Sequence, residues 1–408
     1  MLNHWTLRLP HTIGLVVFAL LASLALMALD AVFPQFQIGG TVQGILNDVN
    51  FGETVLKGLL SILLFAGALH VDLRQLAKRG PTIAALSTIG VLISTAINGF
   101  GFYALAWLLG FNDVLTLPIC LVFGALISPT DPVAVLALLK NLVVPKELKA
   151  TIAGESLFND GVAIVVFLVL SSIAFAGHGD GHGAAVSASG IAQVFLVEAG
   201  GGLLLGFVLG GIGLFIMRSM DEYVLEVLVT LALVIGGYAL ALKLHVSGPL
   251  AMVVAGLMVG SSAAQRAMSD QTKDYLEKFW ELLDEILNSA LFVLIGFEIL
   301  ILSFQGPAIL LALLAVPLAL GARAFALFVP LSLLAPFRSY QPNTLKILLW
   351  AGLRGGISVA LALTLPDSHA EGEVMSAKDL ILIATFAVVL FTILVQGLTI
   401  ERLLKRWL

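Results

Sequence analysis

Twelve apolar runs, each near the length of a membrane-crossing helix, follow one another along this chain of 408 residues. They lie at about 13–33, 54–71, 82–109, 115–139, 151–176, 190–217, 223–243, 247–263, 276–302, 307–335, 345–365 and 379–400. A helix needs about 20 apolar residues to cross the hydrocarbon of a bilayer, so the pattern predicts an all-α polytopic membrane protein with about twelve transmembrane helices. A globular core offers no alternative. The chain is 59% hydrophobic and 12% charged, with a mean hydropathy of +1.05, whereas soluble domains are roughly 45–50% apolar. The run at 247–263 is the shortest, and the run at 276–302 begins amphipathically with Glu277, Glu281, Asp284 and Glu285. Phe33, Pro34 and Gln35 follow the first run where a signal peptide would carry small residues, so it reads as a retained helix.

Charge placement orients the spans, because Lys and Arg gather in cytoplasmic loops. With the N-terminus inside, sixteen of the 21 Lys and Arg residues fall on the cytoplasmic side and only Lys57, Lys243 and Lys378 outside. The other two, Arg323 and Arg354, lie within apolar runs. Both termini are therefore expected in the cytoplasm, and the polar loop at 177–189, with His178, Asp180 and His182, on the exterior of a bacterial inner membrane. The net charge of −5 argues against a nucleic-acid partner. A single cysteine, Cys120, excludes a disulfide framework. Residues 1–408 read as one membrane domain, with no soluble regulatory domain.

An ionisable group at the bilayer centre costs roughly 3 kcal/mol on insertion scales, and such groups mark ion pathways. Five stand out: Asp131, Glu155, Asp160, Arg323 and Arg354. Asp131 lies between Pro129 and Pro132. Prolines so close remove backbone donors and clash with the preceding turn, so the helix should unwind near 128–132, which is tolerated at membrane depth only beside a cavity or inside protein. The freed carbonyls, the Thr130 hydroxyl and the Asp131 carboxylate then offer oxygens to a hard cation; a plain kink with Asp131 paired to a neighbour is the alternative. On the next span Glu155 and Asn159 share one helical face, and Ser156 and Asp160 the adjoining one. Asp160 with Ser156 can hold an ion beside the break. Glu155 can answer an arginine, or be an interfacial carboxylate.

Three glycines surround Arg354 in Gly352-Leu353-Arg354-Gly355-Gly356, a second candidate break near 352–356. The two interruptions fall on antiparallel spans, the pattern of an inverted-repeat transporter with its site at the midplane. Arg354 reads as compensating a helix end in preference to handling an ion. Three acids against two arginines leave one carboxylate without a fixed partner. Such a group accepts either a proton or a cation, and a site that holds one or the other is an exchanger.

These motifs resemble the monovalent cation/proton antiporter family of the sodium-proton exchanger type. The likeness rests on the run from Leu64 to Leu73, on Thr130-Asp131-Pro132-Val133-Ala134, on the segment from Gly154 to Gly161 and on the run from Gly352 to Gly356, and so extends over nearly all the chain. The resemblance implies an antiporter fold whose two discontinuous helices cross. It implies a core of helices at about 54–176 and 276–400 moving past interface helices at about 13–33 and 190–263, in a homodimer. It implies that Asp160 alternately carries Na+ (or Li+ or K+) and a proton, aided by Asp131, Thr130, Ser156 and Asn159, and that Glu155 pairs with Arg323 as a brace. Asn159 places the chain on the branch whose exchange is electroneutral. Many relatives have a glutamate within the motif that here reads Phe65-Ala66-Gly67, and the match of the stretch from Leu9 to Gly14 to their second helix implies that their first is absent here. No cofactor is expected.

Three other readings were open to the residues alone. A proton-coupled transporter of another cation or a small solute would need a roomier, more polar pocket for an organic substrate. An intramembrane protease needs two carboxylates sharing a proton, and the nearest candidate, Asp180 in Gly177-His178-Gly179-Asp180, lies in the exterior loop, as do His178 and His182, the alternative metal pair. A passive channel would conduct cations without proton coupling.

Overall fold

The structure is a computed structural model that describes residues 11–33, 59–71, 73–131, 135, 144–175, 196–219, 222–261, 268–298, 306–366 and 375–407. The 177–189 loop with His178, Asp180 and His182, together with Asp72 and the stretch Pro132-Val133-Ala134, lies outside the described residues. Every described element is a helix, and each of the twelve apolar runs overlaps at least one.

The first half comprises α1 (His11–Val32), α2 (Leu60–Leu69), α3 (Leu73–Ala85), α4 (Val91–Leu109), α5 (Leu117–Leu126) and α6 (Lys146–Ala174). Between α3 and α4 a single π-helical turn, Leu86–Gly90, keeps the chain in one long helix. The middle holds α7 (Gly201–Arg218), α8 (Tyr223–Lys243) and α9 (Gly248–Val259). The second half comprises α10 (Asp270–Glu298), α11 (Gly306–Leu334), α12 (Thr344–Ala351), α13 (Gly356–Leu363), α14 (Ala377–Phe391) and α15 (Gly397–Trp407), the last two joined by a π-helical turn at Thr392–Gln396. Among the described residues six helices are long and apolar enough to span a bilayer, and α12 with α13 form an apolar pair bent by 48° at their break.

Helices α3 and α10 are among those that start well before their apolar runs. The third run begins near 82, but the helix begins at Leu73 and includes Arg74, Lys78, Arg79 and Pro81. The ninth begins near 276, but α10 starts at Asp270. Hydropathy registers the part of a helix that sits in hydrocarbon, whereas the helix continues for as long as its backbone bonds persist, including into water.

Helices α7, α8 and α9 pack on one another, and α9 lies against α2. Helix α6 lies against α3 and α5, while α11 lies against α4 and α14. Phe102 and Phe123 stack at 4.0 Å between α4 and α5. Trp280 of α10 meets Phe65 of α2 at 4.7 Å and donates its indole N–H to Thr230 Oγ1 of α8 at 3.0 Å, so this buried indole satisfies its polar atom while filling the core. In the glycine-rich α7, a Cβ at Gly202 would stand 2.6 Å from the Ser247 carbonyl oxygen, and one at Gly206 would strike that of Ala251. Small residues here allow α7 and α9 to touch backbone to backbone, which is how membrane helices gain packing where lipid offers no hydrophobic drive.

Gly206→Val is therefore expected to lower the melting temperature of the detergent-solubilised protein, at an overpacking cost of about 1–3 kcal/mol. Gly211→Val on the same helix, where a Cβ meets open space, should change it little. Equal melting temperatures for the two variants would contradict the close contact of α7 with α9.

Candidate functional site

The chain breaks where the prolines and glycines stand. Helix α5 ends at Leu126 and the backbone from Ile127 to Asp131 is not helical; α12 ends at Ala351 and helix resumes only at Gly356. Within hydrocarbon each unpaired peptide group costs several kcal/mol, so the fate of these groups decides whether the breaks can exist. Several find partners across the crossing or on the last span. The Asp131 N–H donates to the Leu353 carbonyl at 2.8 Å, joining the two breaks where they cross. The Arg354 N–H donates to Thr392 Oγ1 at 3.1 Å, in the π-helical turn of the last span.

Charge answers charge across the same crossing. Arg354 Nη1 donates to the carbonyl of Ser128 and, at 2.8 Å, to that of Pro129. These carbonyls lie just past the C-terminal end of α5, the end of a helix that favours a cation. The Asp131 carboxylate packs on Gly355, where an added Cβ would come within 2.6 Å of Oδ2. That glycine precedes the first turn of α13, the end of a helix that favours an anion. Gly355 is thus required by close approach: any side chain there would displace Asp131.

Behind the crossing, α6 supplies a buried polar ladder. Glu155 sits more than two turns into the helix and is buried, not interfacial. Arg323 of α11 grips it with two bonds, Nη1 to Oε1 at 2.6 Å and Nη2 to Oε2 at 2.8 Å. Such bidentate pairing is the geometry in which a guanidinium and a carboxylate bind most strongly. Asn159 Nδ2 donates to Glu155 Oε1 at 2.9 Å and to Thr130 Oγ1 at 2.8 Å, while its Oδ1 accepts from the Thr130 N–H at 3.4 Å. Ser156 Oγ and Thr130 Oγ1 are 2.9 Å apart. The network ties α6 to the first break.

Asp160, one turn further along α6, is 3% exposed, and its Oδ1 has no hydrogen-bond partner. It borders a cavity of about 60 Å³, shared with Thr130 and Asp131 of the first break, Gly355, Gly356 and Ser358 at the second, Asn288 of α10, and Leu64 and Gly67 of α2. Of the residues singled out in the sequence, the structure brings Asp160, Asp131 and Thr130 to this cavity. Ser156 and Asn159 are bonded behind it, Glu155 and Arg323 pair with each other, and Arg354 faces the α5 carbonyls. Ser358, Asn288 and Thr392 were not anticipated. The only signal for Ser358 was a hydroxyl four residues beyond Arg354 in an otherwise apolar stretch, and for Asn288 its place four residues after Asp284 on the amphipathic helix.

Beyond the small cavity lies a larger one of about 660 Å³, lined by Ile164, Tyr238, His245 and Leu361 among others, with Leu60 bordering both.

Crossed broken helices with a buried carboxylate at their junction define a secondary transporter of the antiporter fold. The transmembrane sodium/hydrogen exchanger family matches residues 2–406, and the chain belongs to that family. It is 45% identical over 411 residues to the Na(+)/H(+) antiporter NhaP of Pseudomonas aeruginosa, with 99% of this chain and 92% of that protein covered. It is 34% identical over 365 residues to the Na(+)/H(+) antiporter NhaH of Halobacillus dabanensis, covering 87% and 83%. Among solved structures, the sodium proton antiporter MjNhaP1 of Methanocaldococcus jannaschii matches with a TM-score of 0.70 over 97% of this chain and 98% of that one. At 23% identity this last likeness is one of fold.

Removing Arg323 strands a buried carboxylate. Arg323→Met is expected to cost about 3–5 kcal/mol, read as a lower melting temperature and poorer membrane yield, and the double variant Glu155→Gln with Arg323→Met should recover much of it. A single variant as stable as the parent would show that the pair does not brace the fold.

Proposed function

We propose that this protein exchanges Na+ for H+ across the bacterial inner membrane, carrying one or the other on the Asp160 carboxylate, with both chain termini in the cytoplasm. The observation that carries this is the bare Oδ1 of Asp160 in a buried cavity. An isolated ionised carboxylate is too costly to persist in such surroundings. It therefore holds a proton or a cation, and the two compete for the same oxygen. Asp131 and Thr130 add oxygens to the same cavity, while Ser156 and Asn159 hold Thr130 in place.

Electroneutral exchange is the reading that Asn159 supports, with the Asp131 carboxylate set against Gly355 at the start of α13 and so left out of the exchange. Glu155 is held by Arg323, Arg354 is committed to backbone carbonyls, and Asn159 is neutral. One site, loaded with one Na+ or one H+, moves the same charge in either direction.

Access alternates, in this reading, as α3–α6 and α11–α15 shift against α7–α9; α2, which lies against α9, and α10, whose Trp280 bonds to Thr230 of α8, stay with the interface helices, as does α1. The larger cavity supports this: it lies one turn outward of the site, at Ile164 and Leu361, on the face that the Lys and Arg distribution makes exterior. The apolar, exposed side chains of α7, such as Leu204, Phe207 and Phe215, suit lipid or the second copy in a homodimer. A cavity of about 60 Å³ favours an inorganic ion over an organic solute, whose pockets run to roughly 300–1,000 Å³.

In proteoliposomes with an imposed pH gradient, added Na+ is expected to dissipate the gradient at a rate that clamping the membrane potential leaves unchanged. Asp160→Asn should abolish exchange. Retained exchange in that variant would end the assignment of Asp160, and a rate that follows the potential would end that of electroneutrality.

A further inference from the structure

We infer that the Ser358 hydroxyl is a direct ligand of the transported cation and helps to set which cation is preferred. The inference rests on the Asp160 reading and extends it to the second half of the chain.

Ser358 is 1% exposed, its Oγ has no hydrogen-bond partner, and it borders the same cavity as the bare oxygen of Asp160. A buried hydroxyl without a partner is uncommon, since the great majority are satisfied. Within a helix a serine or threonine ordinarily satisfies itself on a carbonyl three or four residues back. Others in this protein do so: Ser172 on Val169, Ser219 on Ile216 and Thr364 on Leu361. Ser358 has no such recourse. It stands in the first turn of α13, so the carbonyls three and four residues back belong to Gly355 and Arg354, in the break. The interruption that builds the crossing also leaves this hydroxyl open toward the cavity.

The other oxygens around the cavity explain why one more is needed. A hard cation is held by several oxygen donors. From α2 the cavity receives only Leu60, Leu63, Leu64 and Gly67, none with a side-chain oxygen. Ser156 does not border it, and its hydroxyl is engaged with that of Thr130. Thr130 Oγ1 already accepts from Asn159. Asp131 and Asn288 also border the cavity, but the buried side-chain oxygens there that have no hydrogen-bond partner are Asp160 Oδ1 from one half of the chain and Ser358 Oγ from the other. A cation between them bridges the two halves at the crossing, whereas a proton on Asp160 needs no such bridge.

The test uses the full chain in proteoliposomes. Ser358→Ala is expected to raise the KM for Na+ about tenfold, the effect of losing one buried polar contact, with turnover at saturation and melting temperature little changed. Ser358→Cys keeps the volume and replaces a hard oxygen with a soft sulfur, so it should shift the preference from Na+ toward the softer thallous ion. A parental Na+ KM in Ser358→Ala, alongside an inactive Asp160→Asn, overturns the role of Ser358 and leaves Asp160 standing. An active Asp160→Asn overturns both. If Ser358→Ala folds poorly, Ser358→Cys decides: an unchanged ratio of thallous to sodium KM overturns the inference.

Discussion

Two helices stop inside the hydrocarbon, and the peptide groups they expose have no water to turn to. Their pairing is the condition for everything around the site. The Asp131 N–H reaches the Leu353 carbonyl, Arg354 caps the carbonyls of Ser128 and Pro129, and the Asp131 carboxylate rests at Gly355 before α13. Neither break is satisfied without the other. A shift of one would strip groups on both, so the crossing is bound to move as one unit if it moves at all.

Around that unit the buried charges are sorted by geometry. Arg323 engages both oxygens of Glu155 and Arg354 engages backbone, so neither cation sits on Asp160 through a bond of its own. Helix α6 carries both the braced carboxylate and the open one, little more than a turn apart. Rigidity at Glu155 and availability at Asp160 are thus two consequences of one arrangement: the brace anchors the helix to α11 and the first break, and the next polar turn faces the cavity.

Much of this was legible before any coordinates. The apolar runs announce themselves because a bilayer demands long stretches with few charges. The five charges in those runs stand out because each is expensive there, and Pro129, Pro132 and the Gly352–Gly356 cluster mark where a helix cannot continue. Other features were not legible. The starts of α3 and α10 lie in polar sequence, where hydropathy is silent. Ser156 shares a helical face with Asp160 by spacing, but its hydroxyl turns to Thr130, a partner on another segment. Ser358 carries no charge and costs little to place in an apolar run, so composition passes over it.

By itself the sequence determined the class of fold, the number of apolar runs, the two interruptions and the set of residues expensive enough to need a reason for being buried. These are matters of transfer between water and lipid, which each residue settles according to its own chemistry. Only the tertiary structure decided which acid meets which base, which hydroxyl is consumed in a network and which is left open to the cavity. Those outcomes depend on contacts between residues far apart in the chain, 226 positions in the case of Arg354 and Ser128. Hydrogen bonds act only at close range and in the right direction, and no local pattern along the chain encodes that meeting.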